Sequence, residues 1–292
     1  MTLIIAGIVI MVVSEAGTLA GIEPFASWNT PIAWTGFIVF ADAFVYRARG
    51  NSWIRSAPHE FVWLALASIP LWVVFEGFNL VLDNWYYSGL PKNFWLRQFG
   101  YAWSFATITP AIFEAAELFA VLRGASPTVE SPARSRSGQP AQRRPSEFDR
   151  VGGAALWIAL GVIMLIAPFA VSPDVARYLA APVWLGFIFL LDPINARLGA
   201  ETLSRERVIN LSLSGMLCGV LWEFWNYWAR AKWHYTVPIM EHFKIFEMPV
   251  PGYLGFPAFA LECFTMYVFV RRIAVSVVPG FSRTVRVRSI GL

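Results

Sequence analysis

The chain has 292 residues, of which 57% are hydrophobic and only 14% are charged, and its mean hydropathy is +0.54. Soluble domains are about half apolar and about a quarter charged, so this composition excludes an ordinary soluble globular protein. The formal net charge of +4 is explained by arginines that face anionic lipid headgroups, without a nucleic-acid partner. The two cysteines, Cys218 and Cys263, lie in apolar stretches and predict neither a disulfide framework nor a metal site.

Eight apolar stretches predict transmembrane helices, because each is long enough, or nearly so, to cross about 30 Å of hydrocarbon at about 1.5 Å per residue. They lie at 3–22, 31–47, 61–82, 99–122, 152–171, 179–196, 208–229 and 252–271. No Lys or Arg precedes the first stretch, which favours a retained span over a cleaved signal peptide. The second and sixth stretches are short and contain Asp42 and Asp192, so six full spans with two re-entrant or interfacial helices is the alternative.

Residues 125–151 separate the two groups of four stretches. The segment is rich in Ser, Pro, Arg and Gln and almost free of aliphatic residues, which predicts a disordered linker. The predicted domains are therefore a first four-span repeat at 1–124, the linker, a second four-span repeat at 152–274 and a basic tail at 275–292.

The basic residues predict the orientation of the chain, since Lys and Arg in short loops are retained on the cytoplasmic side. Most of the 23 Lys and Arg residues lie in the linker, in the tail and in the loops on the same side as the termini. We therefore expect both termini and the linker to be cytoplasmic, in a multi-pass protein of the cytoplasmic (inner) membrane.

The two four-span units are similar to each other in sequence. The segment 34–42 recurs as 184–192, with Trp, Gly, Phe, Ile and Asp at identical spacing. The segment 76–87 is matched by 223–235, because both contain Glu, Asn, Trp and Tyr in the same order. Four spans per unit is an even number, so the duplication predicts an all-α membrane protein of two tandem four-helix repeats with parallel pseudo-twofold symmetry.

Four glutamates in the predicted spans are the candidate catalytic residues. Ionisable groups at mid-bilayer cost about 2.5–3.5 kcal/mol and usually face an interior cavity. No Lys, Arg or His lies in the interior of a predicted span, so we expect these acids to lack a cationic partner and to hold or share protons. The alternative is a structural role, in which protonated side chains hydrogen-bond between packed helices. The candidates are Glu76, Glu114, Glu223 and Glu262.

Polar and aromatic residues close to these acids are the candidate substrate-binding residues. An amide three residues after each of two glutamates lies on the same helical face as that glutamate. Aromatic faces can stabilise a carbocation, although aromatic residues at span ends also form an interfacial belt. The set is Asn79, Asn226, Trp72, Trp222, Tyr87 and Tyr235.

The loop after the seventh stretch contains His234, Glu241, His242 and Glu247, which could form a zinc site. The first unit has no counterpart for either histidine, so we predict no metal and no organic cofactor. The chain also lacks a Walker-type phosphate loop and a Gly-x-Ser-x-Gly nucleophile turn.

Four stretches of the chain resemble the membrane lycopene cyclase domain of carotenoid biosynthesis. They are Trp222–Tyr235 and Pro257–Phe264 in the second unit, and Glu76–Tyr87 and Pro110–Phe119 in the first. The resemblance implies proton-initiated cyclisation of a linear carotenoid without a cofactor. It also implies that Glu114 and Glu262 are the residues that best match the family's glutamate positions in the sequence.

The sequence favours an integral membrane enzyme, such as a cyclase or isomerase, that acts on a lipid or isoprenoid by carboxylate acid–base chemistry. Two other functions stay open, namely a proton-coupled transporter and a non-catalytic membrane scaffold or assembly protein. The expected partner is a membrane lipid or isoprenoid and not a nucleic acid, and a homo-oligomer is left open.

Overall fold

The structure, a computed structural model, describes residues 1–124 and 153–277. The predicted linker at 125–151 and most of the predicted tail at 275–292 lie outside these residues. The long helices are α1 (Thr2–Leu19), α2 (Phe25–Arg49), α4 (Pro58–Leu82), α5 (Phe94–Leu122), α6 (Ala154–Ala170), α8 (Ala180–Arg197), α9 (Arg205–Trp228) and α10 (Gly255–Val277). The shorter elements are α3 (Trp53–Ser56), α7 (Pro173–Ala176), a 3-10 helix (Val250–Leu254) and the strands β1 (Trp85–Ser88), β2 (Lys232–Tyr235), β3 (Lys244–Ile245) and β4 (Met248–Pro249).

A long helix lies at each of the eight predicted stretches. Within the described residues, five helices are long and apolar enough to cross a membrane, namely α1, α4, α5, α9 and the final helix counted from Val250. Helix α6 is apolar but has only 17 residues. The chain is therefore mostly helical and carries several of the spans that a multi-pass membrane protein requires.

Helices α1 and α2 pack closely because glycine removes the side chain at their contact. A Cβ added to Gly7 would lie 2.6 Å from the carbonyl oxygen of Gly36 in α2. Helices α6 and α8 pack in the same way, since a Cβ added to Gly161 would lie 2.7 Å from the carbonyl oxygen of Gly186. Small residues at helix contacts are typical of membrane proteins, where close backbone approach supplies the van der Waals attraction.

Helices α5 and α10 form the centre of the bundle. Helix α5 packs against α2, α4 and α9, and α10 packs against α8, α9 and α4. The two described segments, 1–124 and 153–277, therefore pack against each other through α5 with α9 and through α10 with α4.

The bundle has two ends. We call the end with residues 122 and 154 the linker end, and the end with β1 and β2 the strand end. At the linker end, Glu60 of α4 accepts hydrogen bonds from Tyr267 Oη and Arg271 Nε of α10, both at 2.6 Å. Arg123, at the end of α5, lies 3.1 Å from Glu206 of α9. Charged pairs therefore join the two described segments at this end.

Two further ion pairs join the segments at the strand end. Arg230 lies 2.6 Å from Glu23, and Arg177 lies 3.2 Å from Asp83. These four side chains are partly exposed, so each pair contributes at most about 1 kcal/mol.

One further acid within the predicted spans, Glu117, has a cationic partner, so the expectation that acids in the spans lack one fails there. This fully buried residue of α5 forms an ion pair with Arg49, at the end of α2. The two aspartates in α2 and α8 bind backbone groups. Asp42 Oδ1 accepts a hydrogen bond from the Ile54 N–H, and Asp192 Oδ1 accepts one from the Leu203 N–H, both at 2.8 Å. Each aspartate thus fixes the loop that follows its helix.

We predict that Gly161→Ala destabilises the protein, because the new methyl group would overlap backbone atoms of α8. Overpacking of this kind costs about 1–3 kcal/mol. Gly77→Ala is the matched control, since a Cβ there meets open space and alanine is the better helix former. Thermal unfolding of both variants in the same detergent measures the difference, and equal stability of the two would contradict the close contact of α6 and α8.

Candidate functional site

Strands β1 and β2 pair antiparallel across the strand end, and so join the loop after α4 to the loop after α9. Trp85 pairs with Tyr235, and Tyr87 pairs with Trp233. Because successive side chains of a strand point to opposite faces, these four aromatic residues share one face. That face points into the protein, where all four line a cavity.

The cavity lies between the strand pair and the helices and has a volume of about 120 Å³. This is roughly ten times the 10–15 Å³ that a single water molecule requires. Its wall is mainly aromatic. The aromatic residues that helices contribute are Trp28, Trp34, Trp72, Phe75, Tyr101, Phe105, Trp184, Trp222, Phe256 and Phe259.

Glu76 lies behind this wall, on the side of the cavity formed by α4 and β1. Its Oε1 accepts a hydrogen bond from Tyr87 Oη at 2.5 Å. The same oxygen accepts the indole N–H of Trp72 at 2.7 Å and, more weakly, that of Trp85 at 3.4 Å. Three residues that line the cavity therefore hold one carboxyl oxygen of Glu76.

Glu223 occupies a comparable place on the other side and is fully buried. Its Oε1 accepts a hydrogen bond from Tyr235 Oη at 2.9 Å, and Trp233 Nε1 donates to the same tyrosine oxygen at 2.9 Å. Glu223 Oε2 is buried and has no hydrogen-bond partner among the described residues. An acid with one unpaired, buried oxygen is well suited to hold a proton.

The two tyrosines stand between the glutamates and the cavity. Burial and the neighbouring Glu76 carboxyl raise the pKa of Tyr87 well above its ordinary value. Burial and Glu223 do the same for the pKa of Tyr235. Both phenols therefore stay protonated near neutral pH, and their hydroxyls are the groups through which either carboxyl can exchange a proton with a molecule in the cavity.

Asn79 and Asn226 anchor the strands to the helices that carry the glutamates. Asn79 Oδ1 accepts the Trp85 N–H at 3.2 Å, and its Nδ2 donates to the Trp85 carbonyl at 2.8 Å. Asn226 makes the same two contacts with Trp233, both at 2.9 Å. The two amides position the aromatic residues, and neither is among the described residues that line the cavity.

The predicted site residues thus divide into groups. Trp72, Trp222, Tyr87 and Tyr235 line the cavity, and the rings of Trp72 and Trp222 lie 5.8 Å apart. Glu76 and Glu223 do not line the cavity, but each accepts a hydrogen bond from a tyrosine that does.

Glu114 and Glu262 are also buried, but they lie in α5 and α10 away from the described lining residues. Glu114 interacts with Asp42 of α2. Both carboxyl oxygens of Glu262 are buried with no hydrogen-bond partner among the described residues. A catalytic role for these two glutamates stays a prediction.

Sequence reasoning missed several lining residues, including Phe75, Phe259 and Tyr101. The Tyr101 ring lies 5.5 Å from the Tyr87 ring and so extends the wall beside Glu76. A signal for Tyr101 existed, because Gly100-Tyr101 is repeated as Gly252-Tyr253.

The histidines of the second loop have separate partners. His234 contacts Glu247, and the exposed His242 contacts Glu241 at 3.4 Å. Within 1–124 and 153–277 no group of three or more His, Cys, Asp or Glu side chains is arranged to hold a metal ion.

Comparison with known proteins gives no match, either to a family model, to a curated protein or to a solved structure.

We predict that Asn79→Ala loosens both strands. It removes the two hydrogen bonds to the Trp85 backbone, and leaves the N–H and carbonyl groups of this buried residue without their side-chain partner. Loss of such a buried partner costs about 1–3 kcal/mol. Hydrogen exchange should become faster at the β1 and β2 amides. Asn93→Ala, which removes an exposed helix cap, is the control and should leave that exchange unchanged. Unchanged exchange in Asn79→Ala would show that the strand pair does not depend on this anchor.

Proposed function

We propose that this chain is an integral membrane enzyme that adds a proton to an isoprenoid or other lipid and removes one, in a reaction similar to that of lycopene cyclases. One observation carries the proposal. An aromatic cavity is flanked by two carboxyl–tyrosine pairs, Glu76–Tyr87 and Glu223–Tyr235, and the tyrosine of each pair lines it.

The proposed architecture has eight membrane-crossing helices in two four-helix repeats, related by a pseudo-twofold axis along the membrane normal. Corresponding helix contacts support it, since α1–α2 matches α6–α8 and α5–α9 matches α10–α4. The strand register supports it too, because the pairs Trp85–Tyr235 and Tyr87–Trp233 exchange under such an axis. In the proposed orientation the arginine-rich linker end faces the cytoplasm and the strand end faces outward.

The proposed reaction needs no cofactor. Glu76, when protonated, donates to Tyr87 Oη while Tyr87 gives its own hydroxyl proton to an alkene carbon. The alkene electron pair forms the new C–H bond and leaves a carbocation, which indole and phenyl faces stabilise by cation–π attraction. Loss of a proton from a neighbouring carbon, through Tyr235 to the Glu223 carboxylate, restores a double bond. The product is an isomer of the substrate, cyclised if another double bond attacks the cation first.

The volume of the cavity limits what it holds. About 120 Å³ accommodates a ring-sized group and not the whole of a long isoprenoid. Three of the lining residues are partly exposed, namely Ser27 and Trp28 of α2 and Tyr101 of α5. The part of a long isoprenoid that does not fit in the cavity would therefore extend outward between these two helices. The proposed substrate therefore has an unsaturated end group and an apolar chain.

We predict that Glu76→Gln and Glu223→Gln each lower product formation by about 10²–10⁴-fold, because an amide cannot supply or take up the proton. Membranes of cells that contain a linear carotenoid or another polyunsaturated isoprenoid would be extracted and analysed by mass spectrometry. Glu206→Gln is the matched control, since the same change at an exposed linker-end residue should leave turnover unchanged.

Two results would overturn the proposal. One is normal turnover by both glutamine variants, and the other is the absence of any isomerised product or bound isoprenoid in the wild-type protein. Proton-dependent uptake of a solute into vesicles would then favour a transporter, and copurification of a stable partner would favour a scaffold.

A further inference from the structure

The outer face of the strand pair carries a hydrogen-bonded chain of three side chains. Ser88 Oγ lies 2.9 Å from His234 Nε2, and His234 Nδ1 lies 3.2 Å from Glu247 Oε2. A hydroxyl, an imidazole and a carboxylate joined in this order, through the two different ring nitrogens, form the connectivity that activates a serine nucleophile. The three residues come from β1, β2 and the β3–β4 turn, so no local sequence motif announces them.

The surroundings hold the imidazole in place. The Tyr86 ring stacks on His234 with ring centroids 5.1 Å apart, and Lys232 Nζ lies 3.1 Å from Glu247 Oε1. Burial would raise the pKa of Glu247, but hydrogen bonds from Lys232 and His234 outweigh it and the pKa is lowered. Glu247 is therefore ionised near neutral pH and accepts a hydrogen bond from the His234 Nδ1–H group. Nε2 is then free to accept the hydroxyl proton of Ser88.

We propose that Ser88, His234 and Glu247 form a second active site, which cleaves carboxylic esters of apolar chains at the outer surface of the membrane. This proposal does not depend on proton transfer by Glu76 or Glu223.

The bond changes balance without a cofactor. Ser88 Oγ attacks the ester carbonyl carbon while its proton passes to His234 Nε2. The C–O bond to the leaving alcohol breaks, and the imidazolium gives its proton to that oxygen. Water then attacks the acyl-serine, again with His234 as base, and releases a carboxylic acid and free Ser88. Ser88 and His234 are catalytic residues in this scheme, and Glu247 is a positioning residue.

The position of the three residues selects the substrate class. Residues close to these side chains in the sequence line the aromatic cavity. They are Leu90 and Pro91, shortly after Ser88, and Ala231 and Lys232, shortly before His234. An ester bound with its apolar chain in the cavity would place its polar group at the rim, next to Ser88. Ser88, His234 and Glu247 are each partly exposed, so a reagent from the outer solution can reach them.

An alkyl fluorophosphonate tests the proposal on the full-length protein in detergent. The Ser88 oxygen should displace fluoride from phosphorus, and peptide mapping by mass spectrometry should locate the label on Ser88. Ser276 is an internal control, because it is exposed near the end of α10 and its hydroxyl donates a hydrogen bond to the Ile273 carbonyl at 2.8 Å. Ser276→Ala should keep the label, and Ser88→Ala should lose it.

Variants at two positions separate chemistry from structure. His234→Asn should slow labelling by at least about 100-fold, because it removes the general base. The charged groups around the imidazole are Glu247 and Lys232. Glu247→Gln removes the carboxylate that orients the imidazole, so labelling should be slower, and Glu247→Asp, which keeps a carboxylate, should restore part of the rate.

The proposal is overturned if the native protein is not labelled, if the label maps to another residue, or if heat-unfolded protein is labelled at Ser88 as fast as native protein. It is also overturned if His234→Asn is labelled at the wild-type rate. Isoprenoid turnover by Glu76→Gln and Glu223→Gln tests the first proposal, and labelling of Ser88→Ala and His234→Asn tests the second. Each proposal can therefore fail while the other holds.

Discussion

The antiparallel pairing of β1 with β2 is the interaction on which both candidate sites depend. It joins two loops that are far apart in the chain, and Asn79 and Asn226 tie each strand to a helix that carries a glutamate. The alternation of side chains then divides the pair into an aromatic face toward the cavity and a polar face toward the outside. A shift of register by one residue would exchange the two faces and destroy both sites at once. The register is therefore a stronger constraint on function here than the identity of any single lining residue.

The buried acids of this protein differ in the kind of partner they have, and the difference has a chemical meaning. Glu60 and Glu117 bind arginine side chains, which favours a fixed carboxylate and a fixed helix contact at the linker end. Glu76 accepts hydrogen bonds from Tyr87 and Trp72, and Glu223 accepts one from Tyr235. None of these donors carries a charge. Neutral donors fix the position of these two carboxyls without placing a positive charge beside them. The membrane tolerates all four groups because each has a partner.

Much of the helical framework could be predicted from hydropathy, since apolar stretches of sufficient length have few alternatives in lipid. The matched Glu, Asn, Trp and Tyr residues lie together at the strand end. The strands were missed, although the alternation Trp85-x-Tyr87 and Trp233-x-Tyr235 has the period of a strand. The contacts of Glu117 with Arg49 and of Ser88 with His234 were beyond sequence reasoning. They join residues 68 and 146 positions apart, and a single sequence contains no distance information at that range.

The ion pairs at the strand end, Glu23–Arg230 and Asp83–Arg177, have a consequence for how the two units recognise each other. Both acids belong to the first unit and both arginines to the second. In the proposed repeat, two copies of the first unit would bring Glu23 against Asp83, and two copies of the second would bring Arg177 against Arg230. Like charges at these contacts oppose self-association of either unit and favour the mixed pair. In the proposed repeat, these charges therefore favour pairing of the two units within one chain over exchange of units between neighbouring chains.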